Sequence, residues 1–426
     1  MPRNATLATR DRSHACDGLR DQLRRRAVAD QGGPVRRPLP VRPGRLGGGG
    51  AQLPRRGAGL LSGGPSGSEP LPGNAGLHDQ RLAFAWTLHY IPHFGGNASR
   101  IVLAGHDAGA SSIGYHLLSG DADFWTRHVT RFILQSGGPY HRYGGNNLTE
   151  QTELAKRLHC STDLSSNKAL ACLQNAAARS VARALPDATF VPVFHRTPLT
   201  GPQPSPDALR GRSAQVTGLS NKQFLVGRVE REGVYRWFVE RHRGGLSNGP
   251  DELASRLLHP YDASWHKNWQ TATGIVLNPV CSDLRPYQEA VGDFTEVCPM
   301  IEFIESLQAW RSQVYAYQLA YQPSYSDWRR EADEAVHFED MELVFGLPLG
   351  SNVHASEADK EWARVMISVW ATFAHTGKAP TLRNTPWPKY DTIEPFSMKL
   401  GPQHVTMKKA EKLHRCVYLR TNRVTP

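Results

Sequence analysis

The sequence lacks long apolar runs and any cysteine or histidine spacing that would hold a metal ion. No stretch of about 18 apolar residues occurs, so we expect no membrane-spanning helix. The start of the chain has no short apolar segment of the kind that forms a secretion signal. The six cysteines are too dispersed to suggest a zinc site. We therefore expect no metal ion and no other cofactor.

Residues 1–68 have almost no aromatic or β-branched side chains. They contain 13 Arg, 13 Gly and 7 Pro, and they carry +9 of the formal net charge of +11. The rest of the chain is therefore nearly neutral, at +2. Such a composition cannot fill a core and predicts disorder. Arginine clusters bind phosphates, but no aromatic residues are interleaved with these, so we expect no nucleic-acid partner.

The most informative stretch is Ser99-Arg-Ile-Val-Leu-Ala-Gly-His-Asp-Ala-Gly-Ala-Ser-Ser112. A strand, a tight Gly-x-X-x-Gly turn and a helix follow one another here, as in the nucleophile elbow of an α/β-hydrolase. Gly105 and Gly109 fit because such a turn brings strand and helix too close for side chains. A serine hydrolase carries its nucleophile at the corner, where this chain has Asp107.

The rest of the chain alternates strand-like and helix-like segments. This alternation predicts the α/β class, with a mostly parallel central sheet and helices on both faces. The predicted strands are Ile101–Ala104, Phe132–Gln135, Phe224–Val226 and Val314–Ala320, and the predicted helices are Gln80–Tyr90, Ala108–Leu118 and Trp362–His375.

Motifs in a fixed order resemble the type-B carboxylesterase and cholinesterase family. They are Leu71-Pro-Gly-Asn-Ala-Gly-Leu-His-Asp-Gln80, Phe94-Gly-Gly-Asn97, the elbow, Leu134-Gln-Ser-Gly137, Val314-Tyr-Ala-Tyr317, Val344-Phe-Gly-Leu-Pro-Leu349 and Trp370-Ala-Thr-Phe-Ala-His-Thr-Gly377. The resemblance implies an α/β-hydrolase domain over 69–426 that lacks the family's N-terminal strands and Gly-rich oxyanion loop. Residues 1–68 are then either a natural basic tail or a segment translated out of frame.

The resemblance also implies a catalytic triad in the order nucleophile, acid, histidine. Val226-Gly-Arg-Val-Glu-Arg-Glu-Gly233 is similar to the acid-bearing loop and places the acid at Glu232. The segment 335–348 is similar to the histidine-bearing segment and places the histidine at His337. The backbone N–H of Ala108 is the one oxyanion-hole donor that the resemblance retains.

Asp107 changes what this triad can do. A carboxylate has no proton for His337 to remove, and the two carboxylates should raise the pKa of the histidine. The resemblance then points to members that have lost the serine and act by binding, such as neuroligins, gliotactin and glutactin. One alternative is an aspartate nucleophile, as in epoxide hydrolases and haloalkane dehalogenases, whose local sequence is similar. Another is residual hydrolysis of carboxylic esters.

The family resemblance pairs four of the cysteines. It implies disulfides Cys160–Cys172 and Cys298–Cys416, which would suit an oxidising compartment. Cys16 and Cys281 have no clear partners, and six free or buried thiols are the alternative.

Two sequons, at Asn97 and Asn147, are acceptors for glycosylation and agree with a secreted protein. The expected partners are an extracellular protein or a small apolar or ester ligand, and the related binding proteins suggest a homodimer.

Overall fold

A computed structural model describes most of the chain from residue 73 onward. The segment 1–68, Cys16 and Cys281 lie outside the described residues, so the predictions made for them are not addressed below. The described residues are 73–119, 122–141, 147–164, 166–184, 192–194, 217–243, 249–259, 262–277, 283–351, 353–403, 405–409 and 413–424.

Helices and strands alternate along the described residues. The helices are α1 (Ala75–Tyr90), α2 (Ala108–Leu117), α3 (Ala122–His128), α4 (Asn147–Arg157), α5 (Asn167–Asn175), α6 (Ala178–Ala184), α7 (Glu232–Arg243), α8 (Pro250–Leu258), α9 (Trp265–Thr273), α10 (Arg285–Gly292), α11 (Cys298–Ala309), α12 (Glu339–Val344), α13 (Glu357–Thr376) and α14 (Leu413–Thr421). A π-helical turn, Asp293–Val297, joins α10 to α11, and the strands are β1 (Ile101–His106), β2 (Val129–Gln135), β3 (Gln223–Val229), β4 (Gln313–Leu319), β5 (Phe396–Leu400) and β6 (Thr406–Lys409).

The described residues fall into two units, those within 73–88 and 147–184 and those within 89–141 and 192–424. In the first unit, helices α4 and α5 contribute to a small core that contains Leu154, Leu164 and Leu173. The hydroxyl of Ser166 caps α5 by accepting a hydrogen bond from the backbone N–H of Ala169. A disulfide closes this region.

The second unit contains a six-stranded sheet in the order β1-β2-β3-β4-β5-β6. Strands β1 to β5 are parallel, and β6 runs antiparallel to β5. Strand β3 is buried over six of its seven residues, which fits a parallel sheet covered on both faces. The predicted α/β class with a mostly parallel sheet is therefore confirmed. Among the described residues, β1 pairs with β2 alone.

One face of the sheet packs against α13. Trp362, Met366 and Phe373 of α13 lie in one buried cluster with Leu225 of β3 and Tyr317 of β4. Truncating a fully buried phenylalanine such as Phe373 typically costs about 3–5 kcal/mol.

A second cluster is built from the helices between β3 and β4. It includes Trp237, Trp269 and Phe294, and α14 closes it with Leu419. The Cys298–Cys416 disulfide lies within this cluster and links α11 to α14.

Several element boundaries differ from the sequence prediction. Helix α1 begins at Ala75, not at Gln80, and α13 begins at Glu357, because a capping box between Ser356 and Asp359 starts it. Strand β3 continues to Val229, although the predicted strand ends at Val226, before Gly227. The ring of Tyr317 packs where a Cβ at Gly227 would lie, so this glycine reflects packing against β4 and not a strand end.

Candidate active site

Asp107 stands at a sharp corner between β1 and α2. Its φ of 50° and ψ of −119° are strained for a residue with a side chain, as in a nucleophile elbow. The backbone N–H of Asp107 donates to the carbonyl of Gln135 at 3.0 Å, and its own carbonyl accepts from Ser111 N–H at 3.0 Å. The corner is therefore held by main-chain hydrogen bonds on both sides.

The glycines of the turn have different roles. A Cβ at Gly105 would lie 2.5 Å from the carbonyl carbon of Gly109, so strand and helix do approach too closely for a side chain there. The same expectation is wrong for Gly109, because a Cβ at that position would meet no atom of the described residues within 4 Å. Gly137, in the loop after β2, is the second close approach: a Cβ there would lie 2.3 Å from the carbonyl oxygen of Asp107.

Two loops at the carboxyl ends of neighbouring strands bring Glu232 and His337 to Asp107. An isolated bridge between Arg231 and Val336 joins these loops one residue before each side chain. His337 Nδ1 lies 2.6 Å from Glu232 Oε2, and His337 Nε2 lies 4.0 Å from Asp107 Oδ1. The three residues predicted as acid, histidine and nucleophile position are thus adjacent, in triad order.

Glu232 is buried and fixed by several donors. Its Oε1 accepts from the hydroxyl of Ser136 at 2.7 Å and from the backbone N–H of Val229 at 2.8 Å. Burial raises the pKa of this carboxyl, but the charge of His337 and these hydrogen bonds outweigh burial and lower the pKa to about 2. Glu232 is ionised across the physiological range.

His337 is held as a cation by the carboxylates around it. Burial lowers its pKa, yet the charge and hydrogen bond of Glu232, with the charge of Asp107, raise the pKa to about 10. A histidine whose pKa is raised in this direction is protonated at pH 7. A protonated imidazole is a proton donor and cannot act as a general base.

Aromatic and polar side chains enclose the imidazole of His337. The ring of Tyr235 stacks on it, with centroids 5.7 Å apart and planes 20° apart, and the ring of His106 lies 4.8 Å away. Burial and the neighbouring His337 lower the pKa of His106. His106 Nε2 lies 3.7 Å from Asp340 Oδ1, so a second imidazole–carboxylate contact stands beside the first.

Ala108 is the first residue of α2, so no intrahelical hydrogen bond uses its N–H. The role of this N–H as an oxyanion-hole donor stays a prediction. Further donors in this fold usually come from a Gly-rich loop near the start of the domain. No such loop was recognised in the sequence.

The two predicted disulfides are both present, Cys160–Cys172 and Cys298–Cys416. The sequon residue Asn97 is exposed, and its Oδ1 accepts hydrogen bonds from the backbone N–H and the hydroxyl of Ser99 at 2.9 and 2.7 Å. Asn147 begins α4, and its side chain lies outside what the structure describes.

Several residues of this site could not be recognised from the sequence. Ser136 lies in the motif Leu134-Gln-Ser-Gly137. Its positive φ of 44° is a backbone constraint that such a motif can encode. Tyr235 gave no signal, because an aromatic one turn into a helix is ordinarily a core residue. The pair His141 and Glu296 also gave none, since the two residues lie 155 positions apart.

Comparison with known proteins agrees with this geometry. A sequence profile described as the carboxylesterase family matches residues 59–419, so the chain belongs to the carboxylesterase family. The chain is also similar to acetylcholinesterase of Bungarus fasciatus, with 29% identity over 386 residues. That alignment covers 83% of this chain and 60% of the relative, so the chain spans less than two thirds of that protein's length.

In the part of the chain that the structure describes, no helix combines the length and apolar character needed to cross a bilayer.

Proposed function

We propose that this carboxylesterase-family domain does not hydrolyse carboxylic esters by the serine route and acts instead by binding. One observation carries the proposal: Asp107 occupies the nucleophile position and faces His337 Nε2 at 4.0 Å. A carboxylate there has no proton to give, and together with Glu232 it favours the charged form of His337. The covalent serine mechanism needs a hydroxyl nucleophile and a neutral histidine, and this arrangement supplies neither.

The esterase assay with matched variants tests the proposal. Purified protein is incubated with p-nitrophenyl esters and with a serine-directed phosphonate probe, beside Asp107→Ser, Asp107→Asn and His337→Ala. Wild type is expected to match His337→Ala, with no turnover above buffer and no labelling. Asp107→Ser is expected to regain labelling, because it restores a hydroxyl at the elbow, but not the full activity of an esterase. Ester turnover by wild type that disappears in Asp107→Asn and His337→Ala would refute the proposal.

The proposed setting is outside the cell. Two disulfides support it, as does the sequon at Asn97, whose side chain is exposed and already engaged with the hydroxyl of Ser99. We propose glycosylation at Asn97 and at Asn147. When the protein is expressed in secretory cells, glycosidase treatment should lower its apparent mass. In Asn97→Gln this decrease should be smaller, by the mass of one glycan.

The proposed partner is an extracellular protein or a small apolar or ester ligand, and the proposed assembly is a homodimer. Two elements that pack together each carry exposed apolar side chains: Ile275 and Val276 follow α9, and Val417 lies on α14. Burying such a patch against a second copy would be favourable. Sedimentation should show a dimer that Val417→Glu weakens, whereas a monomer at all concentrations would exclude this face.

A second candidate function is hydrolysis of an alkyl electrophile with Asp107 as nucleophile. The half-buried carboxylate on the elbow, opposite a protonated His337, favours it. Asp107 would attack an epoxide carbon, the carbon–oxygen bond would break, and the released oxygen would take the proton from His337. The neutral His337 would then activate water to cleave the ester and recover its proton. If this reaction occurs, turnover of an epoxide in 18O-labelled water should place 18O in the carboxylate of Asp107. Asp107→Asn should abolish turnover.

A further inference from the structure

A second buried acid–imidazole pair lies close to the site. His141 is in the loop that follows β2, four residues beyond Gly137, and Glu296 is in the π-helical turn between α10 and α11. Both side chains are more than nine-tenths buried, at 0% and 8% exposure. π-Helical turns are rare and occur frequently at functional sites.

The hydrogen bonds of this pair favour an un-ionised carboxyl group. His141 Nε2 lies 2.7 Å from the backbone carbonyl oxygen of Glu296, so its N–H donates there. Glu296 Oε2 is 3.2 Å from the same nitrogen, yet among the described residues it receives no hydrogen bond. An ionised oxygen left buried without a donor would carry a large desolvation penalty. A protonated carboxyl group carries no charge and so avoids the cost of desolvating a charge.

We propose that Glu296 and His141 form a neutral pair that holds a proton behind the site, so that His337 faces two carboxylates and not three. Glu296 is then a positioning residue that limits the charge around His337. The proposal rests on the proposed function, in which His337 is a cation beside Asp107 and Glu232. The ester assay tests the proposed function separately.

The surrounding charges agree with a neutral pair. Burial, with the charges of Asp107 and Glu232, raises the pKa of Glu296 well above its usual value, although His337 and Arg236 oppose the shift. Burial lowers the pKa of His141 to about 4. The charged and titratable groups that act on Glu296 come from four places: His141 after β2, Asp107 at the elbow, Glu232 and Arg236 on α7, and His337 before α12.

Glu296→Gln separates a neutral pair from an ion pair. If the pair is neutral, the amide replaces an uncharged acid. In wild type, a glutamate that ionises in the unfolded chain but not in the folded protein lowers the stability as pH rises. Glu296→Gln removes this effect, so the Tm of the variant should exceed that of wild type, by a margin that grows from pH 5 to pH 8. The titration midpoint of His337, measured by NMR over the pH range in which Glu296 is still protonated, should be the same in the variant as in wild type. Glu305→Gln is the matched control: Glu305 lies on α11 and pairs with Arg420 at 2.9 Å, so its loss should not raise Tm.

The opposite results would overturn the proposal. If Glu296 is ionised and His141 cationic, the Gln variant should melt below wild type at pH 7, because it leaves a buried cation unpaired. Removing that negative charge should also lower the titration midpoint of His337. If Glu296→Gln does not fold, the carboxyl carbon-13 spectrum of wild type decides. A glutamate carbon that keeps its protonated shift at pH 7 supports the proposal, and the absence of any such carbon overturns it.

Discussion

Neutralising Asp107 should lower the pKa of His337, because the carboxylate of Asp107 lies 4.0 Å from His337 Nε2. Two unit charges at this distance attract by about 4 kcal/mol at an effective dielectric of 20, and by about 1 kcal/mol in bulk water. These energies correspond to roughly 3 and somewhat under 1 pKa unit. Since the Asp107 side chain is 30% exposed, we expect Asp107→Asn to lower the pKa of His337 by about 1–2 units.

The assay is an NMR titration of the imidazole carbons and nitrogens of His337 in wild type and variants. Glu232→Gln should lower the pKa further than Asp107→Asn does, because Glu232 is buried and only 2.6 Å away. Asp391→Asn, at an exposed loop position, is the control for nonspecific charge effects. An Asp107→Asn shift no larger than that of the control would refute the electrostatic coupling between Asp107 and His337.

Three further predictions follow from the same contacts. Ser136→Ala removes a hydrogen bond to a buried carboxylate and should lower stability by about 1–3 kcal/mol in urea unfolding, with a rise in the pKa of Glu232. Replacing both Cys298 and Cys416 by alanine opens a loop with a sequence separation of 118 and should cost about 2–5 kcal/mol, measured by thermal unfolding. Stability should fall on both sides of neutrality. Glu232 stabilises the fold above its unfolded pKa, and this contribution is lost as pH falls from 4.5 to about 2. His337 stabilises the fold below its unfolded pKa, and this contribution is lost as pH rises from 6.5 to about 10. Flat stability across either window would contradict the assignment.

The fold could be predicted from sequence because its signals are local. The Gly-x-X-x-Gly turn fixes a strand and a helix around Asp107, and the alternation of apolar strands with helices gives the sheet. The boundaries were less predictable. The capping box at Ser356 depends on hydrogen bonds at one helix end, and the continuation of β3 past Gly227 depends on pairing with the next strand, whose Tyr317 ring occupies the space of a side chain at 227.

The site was predictable only where motifs carry it. Glu232 and His337 lie in segments that resemble those of known relatives, and the structure places them together. Ser136 and Tyr235 act through contacts with residues far along the chain, and no spacing encodes those contacts. The His141–Glu296 pair is the clearest case, since neither residue stands in a recognisable pattern and their relation arises only when the π-helical turn meets the loop after β2.

The corner at Asp107 is shaped by its neighbours and not by its own side chain. Gly105 makes room for the helix, and Gly137 makes room for the main-chain oxygen of residue 107. The side chain at this position can therefore change chemical character while the backbone stays in place. A lineage could lose a nucleophile here through a single substitution with little effect on folding, so chemistry and architecture can evolve independently at this residue.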